Sequence, residues 1–338
     1  MKKNSISLIL LLVLGAIALY LFLKKDNDVS SKMLNDFAIE DTASITKLFL
    51  ADNDGNYSVL KKMDDGTWMV NDKYKARQQN VYLILRGLHN FEVKSTVPKE
   101  GVKAIISQIA TKPIKLEVFQ GSDKPSKIYY FGFATQDHYG NYALLEIPGE
   151  GKSKEPYIIK EKGFYGFIRP RMITIEDEWR SPVIFDYPTL NVKEISVEYP
   201  AYPDQSFKIE WSGNNNIKLK DGKGNAFRNF DTLAVKDYLL YYKAIYAETY
   251  NNHLNTAQKD SVANTIAKAH ITIVDKSDQK TSVLVFDKGF VDPFLRDPEY
   301  NNLDPERFYI LNEANELAIA QKLQWDPLLV PLNRFNPE

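Results

Sequence analysis

The sequence predicts an α+β chain: an N-terminal transmembrane helix followed by two tandem copies of a mixed strand/two-helix/strand unit. Three observations carry that reading. An apolar run near the N-terminus is long enough to cross a bilayer. The order of segments that begins at Ile45 begins again at Ile195. Within each copy the apolar period switches from that of a strand to that of a helix and back.

The apolar run extends from Ile6 to Leu23 through Leu12 and Leu19. As a helix it would reach about 27 Å, close to the thickness of a hydrocarbon core. A cleaved signal has a shorter apolar centre followed by small residues at the cut. Here the small-residue candidate, Ala16-Ile17-Ala18, lies inside the run, and the run ends on Lys24-Lys25. An uncleaved anchor is therefore expected, with Ile6, Leu12, Leu19 and Leu23 among its residues. Lys2 and Lys3 before the run nearly balance Lys24 and Lys25 after it. The amino terminus tips the balance to a cytoplasmic N-terminus. The expected location is the inner (cytoplasmic) membrane, single-pass, N-terminus inside, bulk in the periplasm. The chain has no cysteine, which excludes a disulfide framework and a thiolate metal site.

The expected organisation is an anchor helix over 1–25, a linker over 26–40, a first α+β repeat over 41–175 and a second over 176–338. In the first copy, strands read at Ile45–Leu50, Tyr57–Lys61 and Thr67–Val70, with turns at Asp52–Asn56 and Asp64–Gly66. A helix follows from Gln79 to Phe91, with Ile84, Leu85, Leu88 and Phe91 on one face, and a second from Gly101 to Ala110. Strands return at Ile114–Phe119, Lys127–Phe133, Asn141–Ile147 and Tyr157–Lys160. The second copy reads as strands around Ile195, Phe207 and Ile217, helices at Leu233–Tyr250 and Asp260–Ala269, then three further strands. The repeat pairs Ile45 with Ile195, Tyr57 with Phe207, Val81 with Val235, and Tyr157-Ile158-Ile159 with Phe308-Tyr309-Ile310. The junction is placed within Ile173–Pro188.

Net charge is −1, so no basic excess exists to neutralise phosphates and nucleic acid is not an expected partner. No motif supplies chemistry. Gly149–Ser153, "GEGKS", lacks the earlier glycine of a phosphate loop and precedes a strand rather than a helix. Asp52–Asn56, "DNDGN", lacks the spacing of a calcium loop and reads as a turn. His89, His138, His253 and His270 have no metal-type spacing. Glu176–Trp179, "EDEW", reads as a solvated linker. Catalytic, cofactor-binding and metal residues are expected to be none, and no cofactor is expected. Asp137 and Glu176 are the carboxylates that folding would have to bring together for an enzyme.

In the long second-copy helix, the repeat places Tyr238, Leu239, Tyr242 and Ile245 in the core. That leaves Tyr241, Tyr246 and Tyr250 nearer the surface, where tyrosines commonly anchor protein interfaces.

Four stretches carry a resemblance: "FAIEDTASITKLFLADNDGN" (Phe37–Asn56), "TWMVNDKYKARQQNV" (Thr67–Val81), "EDEWRSPVIFDY" (Glu176–Tyr187) and "VKEISVEYP" (Val192–Pro200). In these the chain resembles the Bacteroidota branch of an envelope family termed domain of unknown function 4340. The resemblance implies an N-terminal anchor, a repeated α+β region and an accessory role. Some relatives are encoded near ABC-transporter components of the gliding-motility type. It implies no catalytic residue. The expected function is an inner-membrane-anchored periplasmic accessory or scaffold protein. Its expected partners are a membrane protein complex of ABC-transporter, secretion or gliding type, and the lipid bilayer through its N-terminal helix. The alternative is a small-ligand or glycan binding module using a cleft between the two repeats, for which the Tyr and Trp content would suit sugar stacking.

Overall fold

The computed structural model describes residues 36–187, 191–213, 216–250, 252–289 and 302–337. The chain divides into two units between Ser181 and Pro182, a little beyond the expected 175/176 boundary and within the expected junction.

In the first unit, β1 (Lys47–Asp52), β2 (Tyr57–Lys62), β3 (Trp68–Val70) and β4 (Tyr74–Lys75) form a meander. Then α1 (Gln78–Asn90) runs straight into β5 (Phe91–Thr96), and α2 (Lys99–Thr111) leads to β6 (Ile114–Phe119). The sheet is completed by β7 (Lys127–Ala134), β8 (Asn141–Ile147), β9 (Gly151–Lys152) and β10 (Tyr157–Glu161), with the single-turn α3 (Glu176–Trp179) after it. The strand order is β4-β3-β2-β1-β6-β7-β8-β10-β5, with β9 on β8. Alternation decides which face is buried: Leu48 and Leu50 of β1 and Tyr129 and Phe131 of β7 point to one core. Val81, Ile84 and Leu88 of α1, spaced three and four apart, close onto the same core. Gly132 permits a close approach, because a Cβ there would lie 2.7 Å from Ile109 Cγ1 of α2.

The second unit opens with β11 (Val183–Phe185), followed by β12 (Val192–Glu198), β13 (Phe207–Trp211), β14 (Ile217–Asp221) and β15 (Ala226–Phe227). Next come α4 (Thr232–Leu240), β16 (Ile245–Tyr246), α5 (Thr256–Ala263), β17 (Ala269–Asp275) and β18 (Lys280–Gly289). It ends with β19 (Leu303–Asn312), β20 (Leu317–Gln321) and the short α6 (Lys322–Trp325). Its main sheet runs β15-β14-β13-β12-β17-β18-β19-β20, and β11 pairs with β16 in a small one. This is the path of the first unit from β4 to β10. Asp231 caps α4 by accepting from the Leu233 and Ala234 amides. The α4 side chains Val235, Tyr238 and Leu239 then pack on Ile195, Phe207 and Ile209. Tyr238 donates its hydroxyl proton to the Leu328 carbonyl, so the 2.5 Å contact with Tyr242 is a bond donated by Tyr242.

Several expectations are corrected. The chain is not an even α+β mixture: the described residues form three antiparallel sheets with few helices. The second helix of each copy buries little, only Ile109 in α2 and nothing fully in α5. Segments read as helix ends or loops are the strands β5, β16 and β20. The second-copy helix stops at Leu240 instead of reaching Tyr250. By sheet position β10 corresponds to β20, so the pairing of Tyr157–Ile159 with Phe308–Ile310 is wrong; Phe308–Ile310 lies on β19, the counterpart of β8. "EDEW" is not a solvated linker, since Trp179 is fully buried.

The expected anchor over 1–25, with Ile6, Leu12, Leu19 and Leu23, and the linker as far as residue 35 lie outside the described residues. Among the described residues no helix is long and apolar enough to cross a membrane. The expected N-terminal transmembrane helix and the single-pass inner-membrane location, with the bulk in the periplasm, are corrected on that finding.

Candidate functional site

The first unit presents an aromatic rim at the β7–β8 turn and the loop after β10. Phe133 (43%), Tyr139 (43%), Tyr165 (79%) and Phe167 (41%) are exposed to these fractions of their surface. Tyr139 and Tyr165 meet edge to face, with ring centroids 4.7 Å apart. His138 lies 6.0 Å from Phe167, and the Arg169 guanidinium 4.8 Å from the Phe133 ring.

Local chemistry holds these rings out. Asp137 accepts from Thr135 Oγ1 at 2.5 Å and from the Tyr139 amide at 3.0 Å, which closes the β7–β8 turn. Its other oxygen accepts from Lys94 of β5 at 2.5 Å. The hydrogen bond from Lys94, then that from Thr135, holds the Asp137 carboxyl far below the usual carboxylate range. It is therefore a fixed anion and not a proton donor. In the second loop, Gly163 and Gly166 take positive φ, which a side chain would resist. Phe164 turns under the Arg171 guanidinium, 4.1 Å from its ring, while Tyr165 faces water. Arg171 is in turn held by the buried Glu161, which also accepts from Arg86 Nε at 3.1 Å.

Beside the rim is a pocket of 430 Å³ walled by Ile114, Phe167, Met172, Ile173 and Ile175, with Arg169 on its wall. Asn141, fully buried, lines it and fixes the adjoining chain: its Oδ1 accepts the Ile168 amide at 2.6 Å and the Arg169 amide at 3.3 Å. Arg169 makes one long bond, Nη1 to the Phe131 carbonyl at 3.5 Å. Among the described residues no carboxylate lies within ion-pair distance of it. Burial pulls this guanidinium below its ordinary pKa, and the charge of Asp52 works against that. Asp52 is itself committed, accepting from Thr174 Oγ1 at 2.6 Å and from Asn56. Burial would raise its carboxyl, but these bonds outweigh burial and hold it low.

With this geometry in view, no family model, curated protein or solved structure matches the chain.

The tyrosines singled out from the sequence are dispersed. Tyr241 is 50% exposed on the 3-10 turn after α4, and Tyr246 is 40% exposed on β16. Tyr250 is 8% exposed and belongs to the core. The reason is that the chain leaves the helix at Leu240, so helical spacing no longer governs which way Tyr246 and Tyr250 point. Tyr246 borders a groove of 450 Å³ with Glu248, Gln321 and the exposed Leu323. The Tyr246 amide donates to Gln324 Oε1 and its carbonyl accepts from Trp325 Nε1.

Asp137 and Glu176 are each held by their own partners, Glu176 by Asn71 Nδ2 at 2.5 Å. The "DNDGN" turn is closed by Asp52 accepting the Asp54 and Asn56 amides. "GEGKS" is the β8–β9 hairpin. Among the described residues no group of three His, Asp or Glu side chains is placed to hold a metal.

Folding does assemble one cluster that sequence spacing hides. Ser282 Oγ lies 2.5 Å from His270 Nε2, Thr272 Oγ1 3.1 Å from Ser282, and Glu198 Oε2 3.6 Å from His270 Nδ1. These residues come from three neighbouring strands, β12, β17 and β18. The order Ser–His–Glu resembles a nucleophilic triad. But strand amides bond within the plane of the sheet, so none rises to receive an oxyanion above its face. The cluster reads as a polar cross-strand ladder.

Proposed function

We propose that this chain is a protein-binding scaffold subunit, not an enzyme, and that it grips a partner polypeptide with the aromatic rim of its first unit. The observation that carries this is the exposure of Phe133, Tyr139, Tyr165 and Phe167 on neighbouring loops, with Phe167 also lining an apolar pocket that holds Arg169. Aromatic and arginine side chains dominate the energetics of protein interfaces. Clustered exposed rings rimmed by polar residues, here Lys94, Asp137 and Arg169, mark a contact surface more than scattered ones do. The partner we favour is a component of a transporter, secretion or gliding-type membrane assembly, a choice supported by the resemblance alone. The small-ligand or glycan reading draws less support from this site. The pocket lies within one unit and its walls are mainly apolar, whereas a sugar needs many converging polar groups.

The test is recovery of co-purifying protein from the organism's own cells. Tyr165→Ala combined with Phe167→Ala is expected to lower it more than tenfold. Thermal unfolding should not change, because both rings are exposed. Undiminished recovery would contradict the proposal.

A further inference from the structure

The pocket beside the rim combines two features that specify more than a generic partner. Its walls are apolar side chains, Ile114, Met172, Ile173 and Ile175 among them. Its one cation, Arg169, is half-buried and has no carboxylate within ion-pair distance among the described residues. Nearby Asp52 cannot serve, since four donors already occupy it: the Asp54 and Asn56 amides, Asn56 Nδ2 and Thr174 Oγ1. A half-buried guanidinium with no carboxylate in ion-pair contact has lost part of its hydration and gains by pairing with an incoming anion.

We infer that this pocket receives the C-terminal residue of a partner polypeptide, an apolar side chain entering between the isoleucines and methionine while the terminal carboxylate meets Arg169. The guanidinium fork matches a carboxylate through two parallel N–H···O bonds. An aspartate or glutamate side chain would bring the charge without an apolar body at the same place. A chain end brings both, with the carboxylate one bond from the Cα that carries the apolar group. The Phe133 ring lies 4.8 Å from the guanidinium carbon and flanks the cation with an aromatic surface. Asn141, by holding the Ile168 and Arg169 amides, fixes the backbone from which the Arg169 side chain springs. This inference rests on the rim being the partner-binding surface.

The test uses the full chain and two fluorescently labelled peptides, Ala-Ala-Phe with a free C-terminus and its C-terminal amide, with binding read by anisotropy. The acid is expected to bind at least tenfold more tightly than the amide. Arg169→Gln should erase the difference, and Arg169→Lys, which keeps the charge but not the fork, should retain part of it. Melting temperatures of both variants establish that they fold. Equal binding of acid and amide, an acid preference that survives in Arg169→Gln, or no binding of either peptide at millimolar concentration would each overturn the inference. Tyr165→Ala separates the two readings. If acid and amide bind equally and Tyr165→Ala weakens both, the carboxylate inference falls and the rim stands. If the Arg169-dependent preference is present but Tyr165→Ala changes neither peptide binding nor partner recovery, the rim reading falls instead.

Discussion

Trp179→Ala is expected to destabilise the first unit by about 4 kcal/mol, the usual cost of truncating a large buried aromatic ring. The indole is fully buried in the core that also holds Leu48, Leu60, Val70 and Ile84. Its Nε1–H donates to the Ile173 carbonyl at 2.8 Å, so the substitution also strips a partly buried acceptor of its donor. The backbone around it matters too. The Trp179 carbonyl accepts the Arg77 amide at the start of α1, and the Ser181 amide donates to Lys75 of β4. Trp179 therefore ties the end of the first unit to its first helix and edge strand. Amide exchange followed by mass spectrometry over β1, β2 and α1 measures the loss. A change below about 1 kcal/mol would mean that "EDEW" is a solvated segment after all.

Glu161→Ala is expected to cost about 3 kcal/mol, measured by denaturant unfolding. Its carboxylate is 2% exposed and serves two cations, Arg86 and Arg171. Removing one partner of a buried ion pair strands the other and is strongly destabilising. The figure sits at the low end of that range because Arg86, 39% exposed, can turn toward water, whereas Arg171 at 17% has less freedom. The decisive comparison is Glu161→Leu with Arg86→Met and Arg171→Met. An apolar replacement of the whole cluster leaves no stranded charge, so it should recover most of the loss. A triple variant no more stable than the single one would refute the stranded-charge explanation. The single variant should also disturb the rim, because Arg171 carries Phe164 and Phe164 precedes Tyr165.

Much of the strand content was legible because alternation is a local signal. The strand expected at Ile114–Phe119 is β6 with the same ends; of the expected helix face, Ile84 and Leu88 are buried, Leu85 is only partly so, and Phe91 is buried as the first residue of β5. The strands that were missed lack that signal. β5 follows α1 with no glycine or proline between Asn90 and Phe91, so the helical pattern conceals its start. β16 is hidden in a tyrosine-rich run that suits either structure. These omissions made the chain look more helical than it is. They also bear on the site, since the helix expected to carry Tyr246 and Tyr250 ends before both.

The rim was illegible for a different reason. Phe133, Tyr139, Tyr165 and Phe167 come from two loops and a strand end, and no period relates them. The usable sign was "GFYGFIRPRM" (Gly163–Met172), a segment rich in aromatic and basic residues that is broken by glycine and proline. The Ser282–His270–Glu198 ladder was equally hidden, because its members meet through strand register and not through sequence spacing.

Site-specific photocrosslinking asks whether the aromatic rim touches a protein partner. A benzophenone amino acid would replace Tyr165 in one version of the chain and Tyr82, an exposed residue of α1 outside the rim, in another. After irradiation in the organism's own cells, a discrete adduct of defined mass is expected from position 165 and none from position 82. No adduct at 165, or the same adducts from both positions, would contradict that contact.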